Sequence, residues 1–461
     1  MHRKIIRLSS ALALCAALFS CSSKTGEREQ KTRQAGRALY DQALLLEQKK
    51  SAAIDKYIQS LTERERLAQL FVINLEGDEK FWFVERVENN APLIPGGYIF
   101  FSFNIAKDPA QIAAFTDSVR DFARAQNCIE PFLCLDAEGG YVNRLRGVAG
   151  PLPENEWVSQ NLSPKQSFLL YSLNAMQLRA LGFDLNLSPV VEVQNESNQE
   201  FLDGRSFGSA DKVQKYASAA VVAYQTNKVA AVLKHFPGNN SVDPHAALPI
   251  LLFGRDEFER DVLQPFGELV KEKPAGVLMS HALVKFLQDQ GGGSGDNPLQ
   301  DQNAAGKNRS QDQKTAAAIP ASLSGHWIGD ILRGRLKFGG LVFSDDIFMA
   351  ALEKNGWPSE RAVEAAIKAG VNCILMSEKR FVNEWKLVKK LYHNDAAFGA
   401  ACDDSVRRVV KFKLDAGVLE YDFASQTVRP RSARAPLQER MERFYGAKKL
   451  NEELIAKYEK E

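Results

Sequence analysis

Eight short apolar runs recur between residues 70 and 376, none interrupted by a charge, with longer stretches of mixed polarity between them. They are Leu70–Ile73, Gly97–Phe101, Phe132–Leu135, Leu185–Val191, Ala230–Leu233, Gly276–Met279, Gly340–Phe343 and Cys373–Met376. An unbroken apolar run, as opposed to an alternating one, marks a strand buried on both faces, and such strands pair in parallel. Between the runs lie helical patterns. Pro109 to Ala125 follows Asp108, a candidate N-cap, and puts Ile112, Phe115, Val119 and Phe122 on one stripe. Lys165 to Leu181 and Ala210 to Asn227 have the same texture. Eight βα units close most simply into a (β/α)8 TIM-type barrel, an α/β fold with a single catalytic domain. The 461 residues fit, since one such barrel uses about 250 to 400.

Several segments stand outside this rhythm. Residues 1–20 carry Arg3, Lys4 and Arg7, no acid, and the mostly apolar stretch Leu8 to Phe19, too short for a comfortable membrane span. The stretch ends in Leu18-Phe19-Ser20-Cys21, similar to the tetrapeptide at which bacterial lipoproteins are cut and their cysteine acylated, although Phe19 is larger than the usual second residue. The expectation is an exported chain held at the envelope, on its periplasmic or outer-membrane face, by lipid on Cys21. Residues 21–60 read as a polar tether and a leading helix (Ala38 to Gln48), 61–420 as the barrel, and 421–461 as a basic linker with a charged helical tail. Within the barrel, 288–317 holds Gly291-Gly292-Gly293-Ser294-Gly295 and then polar residues, so it reads as a disordered insertion, either neutral or a lid.

Composition removes some functions. Formal net charge is +2, and the three cations of the first twenty residues account for it, leaving about −1 on the remainder. That offers no footprint for nucleic acid. Cys128, Cys134, Cys373 and Cys402 lack metal-ligand spacing; Cys134 and Cys373 fall inside apolar runs and read as buried thiols, while export permits disulfides among the four without requiring them. No metal or organic cofactor is expected, and a monomer is favoured.

Polar residues gather immediately after the runs: Asn74, Asp136, Lys234-His235, Ser280-His281, Asp345 and Ser377. In a barrel of this kind the C-terminal ends of the strands carry the active site. Asp345, directly after Leu341-Val342-Phe343-Ser344, is placed to enter the barrel mouth as a carboxylate nucleophile, while Asp346 should turn away to cap the next helix. The segment Lys234-His235-Phe236-Pro237-Gly238-Asn239-Asn240-Ser241-Val242-Asp243-Pro244-His245 leaves the fifth run with two groups able to donate to sugar hydroxyls. It ends in an Asp-x-His pair that is either a polar turn or a dyad whose carboxylate favours the imidazolium of His245. In Asp136-Ala137-Glu138-Gly139-Gly140-Tyr141-Val142-Asn143-Arg144, Asp136 can accept from two adjacent hydroxyls and the glycines allow close backbone approach to a ligand. Arg205 is a further donor. Surface salt bridges are the plain alternative for these residues.

In order and in barrel register, these segments resemble glycoside hydrolase family 3, specifically its single-barrel bacterial β-N-acetylglucosaminidases. The likeness runs from Leu61-Thr62-Glu63-Arg64-Glu65-Arg66-Leu67 through Gly96 to Phe101, Asp136 to Arg144, Leu187-Ser188-Pro189-Val190-Val191, Arg205-Ser206-Phe207-Gly208, Lys234 to His245, and Pro320-Ala321-Ser322-Leu323-Ser324. It closes on Phe343-Ser344-Asp345-Asp346 and reaches about Leu414. The resemblance implies that Asp345 is the nucleophile and that Asp243 with His245 is the acid/base dyad. It assigns Asp136, Arg144, Arg205, Lys234 and His235 to holding N-acetylglucosamine. The reaction implied is retaining hydrolysis of terminal β-N-acetylglucosaminides on envelope glycan or peptidoglycan fragments. Two positions depart from the pattern: Asn239-Asn240 stand where the family has His-Gly, and Tyr141 where it favours Arg. A β-glucosidase, a glycoside phosphorylase, and a catalytically decayed sugar-binding lipoprotein are the competing readings.

Overall fold

Each of the eight apolar runs forms a strand, and all pair in parallel in one sheet. The computed structural model describes residues 26–242, 247–287, 318–432 and 434–458. The strands are β1 (Phe71–Ile73), β2 (Gly97–Phe100), β3 (Phe132–Leu135), β4 (Leu185–Asn186), β5 (Ala230–Phe236), β6 (Gly276–Met279), β7 (Leu341–Phe343) and β8 (Ile374–Met376). Neighbours in sequence are neighbours in the sheet from β1 to β7, and β8 returns to lie beside β1 with Phe71 opposite Ile374. A parallel bridge between Phe343 and Cys373 joins the two edges, so the sheet curls into a nearly closed barrel. Closure leaves no long edge exposed.

The interior is filled by Val72, Ile99, Phe132, Val232, Leu278, Phe343 and Leu375. Helices cover the outside: α1 (Pro109–Ala125), α2 (Pro164–Leu181), α3 (Ala210–Thr226), α4 (Gln264–Val270), α5 (His326–Arg335), α6 (Ser359–Ala369), α7 (Val382–Asn394) and α8 (Ala396–Asp415). Asp108 accepts from the Ala110 amide to start α1, whose Ile112, Phe115 and Val119 are buried as the stripe required. Ser163 and Gln166 form a reciprocal cap on α2. Phe412 of α8 meets Phe132 at 5.2 Å between ring centroids and fills the barrel from below.

Three features differ from the sequence reading. A short parallel ribbon (Ile250–Phe253 with Leu283–Phe286) extends beyond β5 and β6, its inner side packed through Phe253, Phe258 and Phe286. Its runs are too short to separate from loop by pattern alone.

The chain after Pro430 is also not a free linker and tail. Residues 430–461 fall in the same compact unit as 62–419. Helix α9 (Leu437–Ile455) packs on α2 and buries Arg440, Phe444, Ala447 and Ile455, while Arg434 reaches the buried carboxylate of Asp184. Its charges hide an apolar stripe too sparse to dominate the composition.

Third, the leading helix begins at Gly26 and runs to Ser60, not from Ala38 to Gln48, because no proline interrupts that stretch. With the hairpin around 420–429 it forms a second compact unit, in which Arg429 pairs with Glu420 at 2.9 Å. Cys21 and residues 288–317 lie outside the described residues. Cys128, Cys134, Cys373 and Cys402 are buried free thiols.

Candidate active site

The C-terminal ends of β3 and β5 bring together a chain of alternating charges. Lys234, wholly within buried β5, places its ammonium 2.7 Å from Asp136 Oδ1 and 2.5 Å from Glu138 Oε1. Arg144 donates to the other Asp136 oxygen at 3.0 Å. Arg205 donates through Nε and Nη2 to the two Glu138 oxygens at 2.8 and 2.9 Å, a bidentate pair. The sequence Arg144–Asp136–Lys234–Glu138–Arg205 is therefore a single ionic network.

Isolated buried charges at this depth would be costly, but here each sign faces its opposite. Burial pushes the Asp136 and Glu138 carboxyls up; the Lys234 ammonium, with Arg144 on one and Arg205 on the other, outweighs it. Asp136 ends well below the usual carboxylate range and Glu138 at about 2. Burial lowers Lys234, and Asp136 and Glu138 more than reverse that, so the ammonium stays protonated.

The network leaves bonding capacity unused. Each Asp136 oxygen accepts one of these charged donors and can accept another hydrogen bond; Lys234 has a third proton, and Nη1 of Arg205 is not engaged with Glu138. The salt-bridge reading and the sugar-holding reading are therefore compatible.

Gly139 and Gly140 serve the chain itself. Both have positive φ, and a β-carbon on Gly139 would stand 2.1 Å from the Pro153 carbonyl oxygen. They turn the Ala137–Gly139 strand back against its own loop, and at Gly139 the close approach is of backbone to backbone.

His235 is buried, and its Nδ1 lies 2.6 Å from Glu192 Oε1. The other Glu192 oxygen accepts the Asn239 amide at 2.6 Å. Glu192 thus ties the imidazole to the start of the following loop and lines a cavity of about 280 Å³ with Gly238, Asn239 and Leu251. Neither Glu138 nor Glu192 is among the residues that the sequence reading singles out. The signals are present: Glu138 is two residues past Asp136, on the same side of an extended segment, and Glu192 directly follows an apolar run, much as Asp345 does.

Asp345 follows Ser344 at the end of β7, half-buried, with Oδ1 accepting the Asp346 amide at 2.9 Å. Asp346 does not cap the next helix, whose N-cap position is Met349; its Oδ1 accepts from the amides of Phe348 and Ser377 at 3.1 and 3.0 Å and ties the turn after β7 to the end of β8. His281 braces this turn, Nε2 lying 3.0 Å from the Asp346 carbonyl oxygen and Nδ1 2.6 Å from Ser322 Oγ. Asn74 is fully buried and spends its amide on Ile99 and Asn104, which makes it a structural tie between β1 and β2. Asp243 and His245 lie outside the described residues. Among the described residues no group of three or more His, Cys, Asp or Glu side chains stands in a metal-holding arrangement.

The family model for the glycosyl hydrolase family 3 N terminal domain matches residues 62–412. A β-hexosaminidase of Alkalilimnicola ehrlichii is 31% identical over 289 residues, covering 61% of this chain and 73% of the relative. One from Pseudomonas aeruginosa is 30% identical over 291 residues, 62% of this chain and 76% of its own. The solved structure of a glycoside hydrolase family 3 β-N-acetylglucosaminidase from a Paenibacillus species superposes with a TM-score of 0.63 at 25% identity. That match covers 84% of this chain and 69% of the other.

Proposed function

The chain belongs to glycoside hydrolase family 3 and is a glycoside hydrolase, and from that premise we propose that it is a retaining, exo-acting β-N-acetylhexosaminidase releasing terminal N-acetylglucosamine by double displacement. The observation that carries this reading is the ionic network from Arg144 to Arg205 standing at the same end of the barrel as the Asp345 carboxylate. The network holds donors and acceptors in place before substrate arrives, so they need little reorganisation when charge develops at the sugar.

In the first step the Asp345 carboxylate forms a bond to the anomeric carbon as the bond to the aglycone oxygen breaks. His245, kept as imidazolium by Asp243, gives its proton to that leaving oxygen. In the second step the neutral imidazole takes a proton from water, whose oxygen displaces Asp345 and restores the β configuration. Asp136, Arg144, Arg205, Lys234 and His235 hold the sugar through the bonding positions their mutual contacts leave open. The identities of the named relatives support N-acetylglucosaminides as the substrates.

Residues 1–21 enter the proposal as a lipoprotein leader that places this activity at the cell envelope, on glycan or peptidoglycan fragments. Replacing Cys21 with Ser should abolish acyl labelling and membrane retention.

The test of function is turnover of a chromogenic β-N-acetylglucosaminide against the matching β-glucoside, each with and without phosphate. The N-acetylglucosaminide should be preferred, phosphate should leave the rate unchanged, and proton NMR should show β-N-acetylglucosamine as the first-formed sugar. Asp345→Ala should lower kcat by about 10⁴-fold or more. A first-formed α anomer, or near-normal turnover by Asp345→Ala, would defeat the assignment.

A further inference from the structure

At the opposite end of the barrel, where the strands begin, a groove of about 980 Å³ opens between the starts of β5, β6 and β7 and helix α8. Sites for small organic ligands run from about 300 to 1,000 Å³, so this one is large enough for an acyl chain. Its floor is apolar, with Val229, Val270, Pro274, Phe338 and Phe412 among the lining residues. Its rim is not: seven Lys and Arg side chains line it against two carboxylates, Asp404 and Asp415. Those two acids are engaged by Arg408 at 2.6 Å and Lys411 at 2.5 Å. Lys271 is paired with Glu268. Lys228, Lys273 and Lys337 are exposed and have no ion pair among the described residues.

Those three lysines share a second property. Each stands just past a helix, in the turn that leads into the next strand, with φ of 64°, 55° and 57°. A β-carbon disfavours that left-handed turn, and glycine or asparagine is the usual occupant. The corresponding turns after α1, α2, α6 and α8 do use Asn127, Gly182, Gly370 and Gly417. Among the described residues, lysine occupies the position only in the three consecutive turns that ring the groove. Attraction to helix C-termini favours a cation near each turn, but Lys271 shows that it can be met two residues earlier, in helical backbone. Arg333, beside the groove on the Phe338 ring, spends its donors on the Phe338 and Gly340 carbonyls and Asn372, and makes no direct ion pair among the described residues.

We propose that this groove binds an anionic phospholipid, the acyl chain lying on the apolar floor and the phosphate received by Lys228, Lys273 and Lys337. A nucleic acid or polyphosphate would meet the lysines but leave the floor uncovered; a neutral lipid would do the reverse. The catalytic carboxylate lies at the other end of the same barrel, so a lipid held here turns the barrel mouth away from the membrane. The proposal stands whether or not Cys21 is acylated.

The test titrates dihexanoyl phosphatidylglycerol, kept below its micellar concentration, into the full chain by calorimetry. Dihexanoyl phosphatidylcholine, inorganic phosphate and a short polyphosphate serve as comparison probes. Phosphatidylglycerol should bind at least about tenfold more tightly than any of the three. The triple variant Lys228→Asn, Lys273→Asn, Lys337→Asn should weaken it at least about tenfold, and Val270→Asp should weaken it independently. Asparagine accepts the left-handed turn more readily than lysine, so the triple variant should melt no lower than the parent and keep its turnover of a soluble substrate. Undiminished binding by the triple variant, equal binding of phosphatidylcholine, or equal binding of phosphate or polyphosphate would each overturn the proposal.

Discussion

Lys234 shows how a single buried residue can hold two others in place. Its ammonium lies between Asp136 and Glu138, and removing either carboxylate leaves a buried cation short of a partner. Breaking one side of a buried pair costs about 3 kcal/mol or more. Glu138→Gln should therefore lower stability by about 3 kcal/mol in urea unfolding and raise KM, because Arg205 loses the bidentate acceptor that aims it.

The same pair sets an acid limit. Glu138 titrates near 2 in the folded protein and Asp136 also lies below its ordinary value. Depressed carboxylates contribute stability that is complete above about pH 4.5 and is lost as pH falls towards 2. Glu138→Gln should flatten part of that fall.

Lys413 of α8 carries the opposite sign. It is fully buried beneath the barrel, bonded to Gln69 and the Glu130 carbonyl, and burial brings its pKa down to about 7. Between pH 7 and about 10.5 the unfolded chain binds a proton there that the folded chain does not, so stability should rise with pH across that window. Lys413→Met should remove the rise; an unchanged slope would show that the ammonium stays charged when buried.

At the scale of elements, the turn from α2 into β4 illustrates what holds a βα barrel in register. Gly182 ends α2 at φ 101°, and a β-carbon there would meet Thr116 Oγ1 at 2.3 Å. Asp184 follows, fully buried, accepting from Arg120 of α1 at 2.7 Å, Arg179 of α2 at 2.8 Å and the Leu133 amide of β3. One short turn thus joins two helices and a strand. Gly182→Ala is expected to cost about 2 kcal/mol through backbone strain and the Thr116 contact. Thermal melting would measure it, and a midpoint within a degree of the parent would mean the turn yields more easily than the geometry indicates.

For the molecule as a whole, the final helix is part of the barrel's support. Phe444 is fully buried where α9 packs on α2, and Arg434, just before the helix, faces Asp184. Phe444→Ala should cost about 3 to 4 kcal/mol. Truncation at Arg429 should leave an aggregation-prone protein, because it bares α2 and removes one of the cations at Asp184. Size-exclusion chromatography of the truncated chain checks this; a monodisperse, fully active product would make the helix dispensable.

Strand number, strand order and the rim at which the polar strand-end residues gather were legible in the sequence. Local rules suffice for these: an uninterrupted apolar run admits a strand buried on both faces, and polar residues at its exit must lie at one rim. The predicted placement of Asp136, Lys234, His235 and Asp345 at that rim followed from position alone. What local rules could not supply was partnership. That Glu138 grips both Lys234 and Arg205, that Glu192 ties His235 to the Asn239 amide, and that a charged C-terminal stretch closes over α2 all depend on residues distant in sequence. Hydrophobic periodicity is a property of one segment and survives in the bare sequence. Charge pairing is a property of two, and it exists only once the barrel has brought the strand ends together.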